Sequence, residues 1–405
     1  MNLKDFQRVR QNLSSIIKKT ELISSDYFSK ISKNKVYLKP ENLQTTGSYK
    51  IRGAYNKIFS LNDKERKRGL IAASAGNHAQ GVAYAAKLLK IKATIVMPTT
   101  TPLIKVDRTR ELGAKVILFG LCYDDAYKEA RRLSKSNNLV FIHPFNDQEV
   151  ITGQGTIALE ILDELPDTEV IIVPVGGGGL ISGIAVAAKL INPSIKIIGV
   201  EPKGADAMKR SLEAKKIIHL EATNTIADGV AVKEVGDLTF KLVKDYVDKI
   251  VTVSESEIME AFLMLIEKHK IVVEPAGALS IAVFFNGKLR LKNKSIVCLL
   301  SGGNIDLSTI SGLVNRGLIK LGRVFDFSIE LFDRPGELLN LAKIISRHNA
   351  NIIKIVHDQF KHIDRFKKVK VTITLETEGH EHIKRIISDL KKEGYNVYYK
   401  KDYHD

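Results

Sequence analysis

The sequence predicts an α/β protein in which a long doubly wound part is followed by a smaller C-terminal unit. From about residue 70 to residue 320, short apolar runs rich in β-branched residues alternate with amphipathic helical patterns. This alternation is typical of parallel strands that helices cover on both faces. Beyond residue 321, apolar and polar residues alternate along the strands, which indicates a sheet with one exposed face and therefore a separate unit.

The long part contains several runs that are predicted as strands. They are Ile71–Ala73, Ala93–Met97, Lys115–Phe119, Val170–Val175, Ile195–Val200 and Ser295–Leu300. Longer amphipathic stretches separate these runs, as in successive βαβ units. The predicted architecture is a twisted parallel sheet with flanking helices.

The C-terminal unit has the order βαββαβ, which is that of a split βαβ, ferredoxin-like fold. Its boundary is expected near Leu321, and the turn Asp333–Gly336 joins the first strand to the first helix. The predicted elements are the strand Phe325–Leu331, the helix Glu337–His348, the strands Ile352–Val356 and Val369–Leu375, the helix Glu381–Glu393 and the strand Val397–Lys400.

The composition indicates a globular protein with about two or three domains, because 405 residues exceed one ordinary core. No apolar run approaches the length of a membrane span, which argues against a membrane protein. The N-terminal residues lack the pattern of a secretion signal, and the two cysteines, Cys122 and Cys298, fit a reducing cytoplasm. Cys298 lies in a predicted strand and reads as a small buried hydrophobe, so neither cysteine is assigned to catalysis.

The formal net charge of +16 raises the question of nucleic-acid binding. The lysines, however, are scattered along amphipathic helices, without a basic arm or an RNA-binding motif with interleaved aromatic residues. A solvated basic surface is therefore the better interpretation, and no nucleic-acid partner is expected.

One lysine stands in an unusual setting. Lys50 follows the aromatic Tyr49 and enters the small-residue run Arg52–Ala54, within a polar stretch punctuated by glycine. A working amine would fit this setting, although an isolated lysine is usually a surface residue.

Three further segments place polar or glycine residues where a strand ends. Ser74–Asn77 lies at the start of a helix, where free N–H groups attract anions such as a carboxylate, and a plain helix cap explains the same residues equally well. Gly176–Gly179 lets the backbone wrap a phosphate. Ser301 precedes two glycines at the edge of the sheet where ligands bind, and a capping serine is the alternative.

The glycine loop resembles a dinucleotide fingerprint only in part. Glu201, after the next strand, stands about where the ribose-binding acid of such a fold would lie. Ser182, however, takes the place of the third glycine of the pattern. A single phosphate is therefore favoured over a pyrophosphate.

Together these segments resemble the β-family of pyridoxal-phosphate enzymes, called fold type II, and most closely the threonine dehydratases, also named threonine ammonia-lyases. The resemblance covers nearly the whole chain. Its motifs, in chain order, are Gly47–Ala54, Ser74–Gly81, His143–Phe145 with Gly153–Thr156, Gly176–Gly179, Glu274–Ala278 and Ser301–Asn304. It implies a catalytic domain over residues 1–320, built as two subdomains of parallel twisted sheets with flanking helices, the small one at about 45–147 and the large one from the remainder. It also implies deamination of L-threonine to 2-oxobutanoate, with L-serine giving pyruvate.

The resemblance also assigns roles. Lys50 would hold pyridoxal 5'-phosphate as a Schiff base and, once displaced, remove the Cα proton of the amino-acid substrate. Asn77 would bond the cofactor's 3-oxygen, the loop Gly176–Gly179 its phosphate and Ser301 its ring nitrogen. The substrate carboxylate would bind at Ser74, Ala75, Gly76, Asn77 and His78.

Residues 325–405 resemble an ACT domain, a module that binds small regulatory ligands, often amino acids. The turn Asp333, Arg334, Pro335 and Gly336 matches that family's ligand turn. An amino-acid effector is implied, with isoleucine feedback and activation both open. Such domains usually pair, so a homo-oligomer, dimer or tetramer, is expected.

Two departures narrow the reaction. Serine racemases share this scaffold but carry a second acid–base serine where this chain has Ala75, and a methyl group cannot carry a proton. Their divalent-metal site uses an acidic pair, of which Glu201 remains while the partner position is Ala207, so no metal is assigned. The alternatives are a serine racemase or serine dehydratase on the same scaffold, and a nucleotide-binding regulatory protein.

Overall fold

The computed structural model describes residues 1–357 and 368–399. The chain divides into two compact units, Met1–Ile305 and Asp306–Asp405. The division falls earlier than the expected boundary near Leu321, because the helix Leu307–Lys320 packs on the first strand of the C-terminal unit. No helix in the described part of the chain is long and apolar enough to cross a membrane.

The first unit alternates strands and helices along the chain. Its strands are β1 (Ile23–Ser24), β2 (Lys35–Pro40), β3 (Leu70–Ala73), β4 (Ala93–Met97), β5 (Lys115–Leu118), β6 (Val140–Phe141), β7 (Val170–Pro174), β8 (Lys196–Pro202), β9 (Lys249–Val253) and β10 (Ser295–Leu300). Its helices are α1 (Leu3–Leu13), α2 (Asp26–Ser32), α3 (Lys50–Phe59), α4 (Asp63–Arg68), α5 (Asn77–Leu88), α6 (Leu103–Glu111), α7 (Tyr123–Ser136), α8 (Gln148–Glu164), α9 (Gly179–Ile191), α10 (Ala207–Ala214), α11 (Asp237–Tyr246), α12 (Glu255–Met264) and α13 (Pro275–Ala282). Short 3-10 turns at Glu41–Leu43, Asp228–Val230 and Phe285–Gly287 and a π-helical turn at Leu265–His269 complete it.

The strands of the first unit form two sheets. The larger has the order β1-β2-β10-β7-β8-β9 and is parallel except for β1, which runs antiparallel to β2. The smaller, β5-β4-β3-β6, is entirely parallel. The predicted parallel α/β architecture is confirmed, and the predicted strands lie within one or two residues of the observed ones. Cys298 is fully buried in β10, as predicted.

Each sheet has its own core. In the larger sheet, apolar strand residues such as Val173 and Leu299 pack with Ile181 of α9 and Ile157 of α8. In the smaller sheet, residues of β3 and β4 pack with those of α3 and α5, including Ile51. Such burial stabilises by about 25 cal/mol per Å² of apolar surface.

Helices α3 and α8 approach each other at a pair of glycines. A Cβ atom on Gly153 would lie 2.5 Å from the backbone oxygen of Arg52, and one on Gly53 would lie 2.5 Å from Nε2 of Gln154. Only glycine permits this backbone approach. The contact fixes the start of α3, where Lys50 lies, against α8.

The second unit has the elements α14 (Leu307–Lys320), β11 (Val324–Phe332), α15 (Glu337–Arg347), β12 (Asn351–His357), β13 (Lys368–Glu376), α16 (His380–Lys392) and β14 (Val397–Tyr398). Its antiparallel sheet has the order β12-β13-β11-β14, and the predicted order βαββαβ is confirmed. Along β11, alternate residues from Phe325 to Leu331 are buried, as the alternating pattern predicted. This arrangement fits a ferredoxin-like domain. Lys400, at the end of the last predicted strand, lies outside the described residues.

Candidate active site

A cavity of about 270 Å³ lies in the first unit. Loops that follow strands of the smaller and of the larger sheet contribute to its walls. The cavity brings together the cofactor-site and substrate-site residues that the sequence predicted in this unit. They are Lys50, Ser74, Ala75, Gly76, Asn77, His78, Gly176, Gly177, Gly178, Gly179 and Ser301. The turn Asp333–Gly336 belongs to the second unit. Glu274 and Asn304 also line the cavity, although sequence reasoning gave them no role.

Lys50 is the first residue of α3, and its side chain points into the cavity. Its Nζ donates a hydrogen bond to the backbone oxygen of Pro144 at 2.9 Å. Burial lowers the pKa of Lys50 from 10.5 to about 8, and the carboxyl of Glu274 opposes part of that shift. Because burial penalises the charged form, this amine loses its proton far more readily than a surface lysine.

The glycine loop joins β7 to the start of α9. Gly178 has a φ of +92°, a left-handed conformation that favours glycine. A Cβ atom on Gly177 would lie 2.4 Å from the ring of Phe145, so a side chain there would be excluded. The hydroxyl of Thr239 donates to the backbone oxygen of Gly177 at 2.7 Å, which fixes the loop. The free N–H groups of the first turn of α9 form a site suited to a phosphate.

Ser74–His78 leads from β3 into α5, whose first residue is Asn77. The Ser74 hydroxyl accepts a hydrogen bond from the Gly76 N–H at 3.1 Å, and this bond stabilises the turn. The ring of His78 is buried, with Nε2 at 3.0 Å from the backbone oxygen of Ile142. Burial and the nearby Lys50 lower the pKa of His78 to about 3, so the ring is neutral. The backbone N–H groups here, rather than the imidazole, are therefore suited to hold a carboxylate.

Ser301 follows β10 and closes the cavity next to the lysine segment. Its backbone oxygen accepts from the N–H of Tyr49 at 3.2 Å, and Ser48 pairs with Gly302 in an isolated bridge. These contacts connect the residues before α3 to the end of β10. The lysine and serine segments are thus held side by side at one edge of the larger sheet.

Asn77, Glu274 and Asn304 form a chain of side-chain hydrogen bonds beside the cavity. Nδ2 of Asn77 donates to Oε1 of Glu274 at 2.7 Å, and Nδ2 of Asn304 donates to Oδ1 of Asn77 at 2.8 Å. Burial, followed by the charge of Asp228, raises the pKa of Glu274 from 4.5 to about 8. An acid placed between an apolar run and the Pro275 that opens α13 was the signal that could have identified this residue.

Beneath Lys50, the guanidinium of Arg52 is fully buried between two carboxylates. It contacts Glu41 at 2.7 and 2.8 Å and Glu160 at 2.6 and 2.9 Å. Lys39, also fully buried, donates to Glu160 at 2.7 Å. Burial lowers the pKa of Arg52, but the two carboxylates outweigh it and raise that pKa above its usual value. This cluster ties α3 to the end of β2 and to α8.

Glu201, buried at the end of β8, accepts from the N–H groups of Met208 and Lys209, both at 2.9 Å. Its two oxygens therefore cap the first turn of α10, where the neighbouring Ala207 carries no ligand atom. Burial raises the pKa of Glu201 to about 8. The structure gives this carboxyl a helix-capping role.

The fold is that of the fold type II class of enzymes, with parallel sheets and with a lysine amine and a glycine loop at one cavity. The family profile of pyridoxal-phosphate dependent enzymes matches residues 13–302, and the chain belongs to that family.

Among individual proteins, the chain is 47% identical to the L-threonine ammonia-lyase of Thermotoga maritima, over 98% of this chain and 99% of that protein. It is also similar to the solved structure of threonine deaminase isoform 2 from Solanum lycopersicum, with a TM-score of 0.74 and 40% identity over 77% of this chain and 87% of that one. The structure of maize serine racemase is similar too, with a TM-score of 0.74 and 38% identity over 78% of this chain and 98% of that one.

The residues around the cavity fit the family's cofactor. Pyridoxal phosphate needs an amine for its aldehyde, N–H donors for its phosphate and polar groups for its ring. Lys50 could supply the amine, the loop before α9 the N–H donors, and Asn77 and Ser301 the polar groups, since all of them line one cavity.

Proposed function

We propose that this chain is a threonine ammonia-lyase that converts L-threonine to 2-oxobutanoate and ammonia, and L-serine to pyruvate as a secondary activity. The observation that carries the proposal is the Lys50 amine, whose pKa is lowered to about 8, in the same cavity as the glycine loop. The identity of 47% to an L-threonine ammonia-lyase over nearly the full length supports the choice of reaction.

The protein's own groups divide the work. The first-turn N–H groups of α9 would hold the phosphate of the cofactor, Asn77 its 3-oxygen and Ser301 its ring nitrogen. When bound, pyridoxal phosphate supplies the aldehyde that carries the substrate's amino group and a conjugated ring that accepts the electrons of the Cα–H bond. Lys50, released as a free amine, would take the Cα proton, since a pKa near 8 suits a base at neutral pH.

The substrate carboxylate would lie on the N–H groups at the start of α5. The turn Ser74–Asn77 leaves these groups without intrahelical acceptors, and the helix dipole favours a negative charge there. Ala75 in this turn offers only a methyl group. Proton removal from one face by Lys50, with only the methyl group of Ala75 on the other face, favours loss of the β-hydroxyl over racemisation. The hydroxyl would leave as water with a proton from an acid such as the cofactor phosphate, and water would hydrolyse the released aminocrotonate to 2-oxobutanoate and ammonia.

The experiment is a product assay on purified protein with added pyridoxal phosphate. L-Threonine and L-serine are supplied separately, and 2-oxobutanoate, pyruvate and D-serine are measured. We expect oxo-acid from both substrates and no substantial D-serine. Substantial D-serine would instead indicate a serine racemase. A colourless protein that carries a nucleotide, with no label on Lys50 after borohydride reduction, would contradict the assignment as an enzyme.

We propose further that residues 325–405 form an ACT regulatory domain attached to a catalytic part of residues 1–320, whose small subdomain spans about 45–147. The strand order of the second unit supports this. At the turn Asp333–Gly336, Nε of Arg334 donates to Oε1 of Glu337 at 2.7 Å. Both side chains border a polar cavity of about 390 Å³, a size that suits an amino-acid effector.

Calorimetric titration with isoleucine, valine and other amino acids tests the effector site. Binding should weaken in Arg334→Ala, and the effector should change the rate of threonine deamination.

Sedimentation with and without effector tests the homo-oligomer, which we expect to be a dimer or tetramer. Absence of binding by every amino acid would contradict the regulatory assignment without touching the catalytic one.

A further inference from the structure

The amide of Asn77 is held from both ends. Its oxygen accepts from Nδ2 of Asn304 at 2.8 Å, and its Nδ2 donates to Oε1 of Glu274 at 2.7 Å. A primary amide has two N–H donors and one oxygen. With the oxygen engaged and one N–H engaged, a single N–H of Asn77 remains for another partner.

The direction of this chain is set by a backbone carbonyl. Nδ2 of Asn304 also donates to the oxygen of Thr46 at 2.8 Å. A backbone carbonyl only accepts, so Asn304 must turn its amino group toward Thr46 and Asn77. Reversing the amide of Asn77 would then set two amino groups against each other and lose the bond to Asn304.

Backbone glycines pack directly against the side chains of Asn304 and Glu274. A Cβ atom on Gly47 would lie 2.4 Å from Oδ1 of Asn304, and one on Gly302 would lie 2.6 Å from Oε1 of Glu274. Gly47 also has a φ of +70°, which other residues rarely adopt. Because neither position carries a side chain, the backbone lies close to the hydrogen-bonded side chains of Asn304 and Glu274.

We infer that Glu274 and Asn304 are positioning residues, which hold Asn77 as an obligate hydrogen-bond donor toward an acceptor oxygen in the cavity. The inference rests on the proposed function, in which that oxygen belongs to the cofactor. It explains why an acid lies buried in the cavity although it performs no step of the proposed chemistry. Burial raises the pKa of Glu274, yet its carbonyl-type oxygen can accept from Asn77 whether or not the carboxyl is protonated.

The test measures cofactor affinity. Apoprotein is titrated with pyridoxal phosphate, and the visible absorbance of the bound cofactor is followed. We expect Glu274→Ala and Asn304→Ala each to weaken binding about three- to tenfold, the usual effect of losing one hydrogen bond, and to shift the absorbance band. Glu274→Gln retains an acceptor oxygen at the same place and should bind nearly as the wild type does.

Glu213→Ala, an exposed substitution on α10, is the matched control and should not change the affinity. Thermal unfolding of each variant separates misfolding from loss of positioning, and Glu274→Gln keeps the test open if the alanine variants do not fold. Alanine variants that bind like the wild type, or a Glu274→Gln variant as weak as Glu274→Ala, would overturn the inference. Failure of the wild type itself to bind pyridoxal phosphate would instead refute the proposed function.

Discussion

Two faces of helix α3 carry cations whose pKa values move in opposite directions. On the cavity face, Lys50 donates to a neutral carbonyl, and its pKa falls to about 8. On the buried face, Arg52 lies between Glu41 and Glu160, and its pKa rises. Arg52 is fully buried, whereas Lys50 is half-buried at the wall of the cavity. Desolvation lowers the pKa of a cation that has no paired carboxylate, whereas two hydrogen-bonded carboxylates raise the pKa of a buried cation and keep it charged.

Helix geometry makes this division possible. Successive residues of an α-helix turn by about 100°, so positions two apart point in nearly opposite directions. Lys50 therefore faces the cavity while Arg52 faces β2 and α8. The fixed charge on one face anchors the helix whose other face presents the amine.

The largest effect is expected on the cavity face. Lys50→Ala removes the amine that is proposed both to bind the cofactor's aldehyde and to act as the base. Oxo-acid formation from L-threonine should therefore fall by at least about 10²–10⁴-fold. Lys57→Ala is the matched control, because Lys57 lies on the same helix and pairs with Asp147 near the surface. A rate in Lys50→Ala comparable to that of Lys57→Ala would refute the role of Lys50.

The next effect is expected on the buried face. Arg52→Met leaves Glu41 and Glu160 buried without their guanidinium partner, which should lower the free energy of unfolding by about 3–5 kcal/mol. Urea denaturation followed by circular dichroism measures this.

Arg10→Met serves as control, since the pair of Arg10 with Asp163 is solvent-exposed and such pairs contribute about 0–1 kcal/mol. Equal losses in the two arginine variants would show that the buried cluster does not anchor α3.

A pH titration sharpens the contrast. Only the neutral amine attacks an aldehyde, so the rate at which apoprotein reacts with pyridoxal phosphate should rise with pH through a midpoint near 8 and level off at higher pH, where Lys50 has lost its proton. Glu274→Gln removes the negative charge that favours the protonated amine, so the midpoint should move to lower pH. Stopped-flow absorbance records both curves. A midpoint near 10.5, the ordinary value of lysine, would show that burial does not act on this amine.

The smallest effect is expected from a substitution of Ala75, which the proposed function places on the face of the substrate opposite Lys50. Ala75→Ser adds a hydroxyl where serine racemases carry theirs, so the variant should form a small amount of D-serine from L-serine. Its threonine deamination should change far less than in Lys50→Ala. Chiral chromatography of the products measures D-serine. If the wild type already forms as much D-serine as the variant, the methyl group of Ala75 does not limit the reaction.

Some strands were predictable because their environment is uniform. β7 and β10 are buried on both faces, so their continuous apolar runs identify them. β2 was missed, since it contains Lys39, a charge that normally argues against a buried strand. The ammonium of Lys39 donates hydrogen bonds to Glu160 and to the backbone oxygen of Thr20, and neither residue is a near neighbour in the sequence.

The same limit applies to the site. Local sequence patterns predicted Lys50, the glycine loop and Ser301, because each lies in a short segment with its own turn or strand signal. Glu274 stood in the sequence only as part of the motif Glu274–Ala278 and received no role, because its hydrogen-bond partner, Asn77, lies 197 positions away. A hydrogen bond over that separation leaves no local pattern.

By itself the sequence determined the order of strands and helices, the alternation that marks the second unit, and the segments that end at the edge of a sheet. These features depend on neighbours within a few residues. The tertiary structure alone decided the boundary after Ile305 and the opposite pKa shifts of Lys50 and Arg52. Desolvation and Coulomb interactions depend on distances between residues far apart along the chain, and folding fixes those distances.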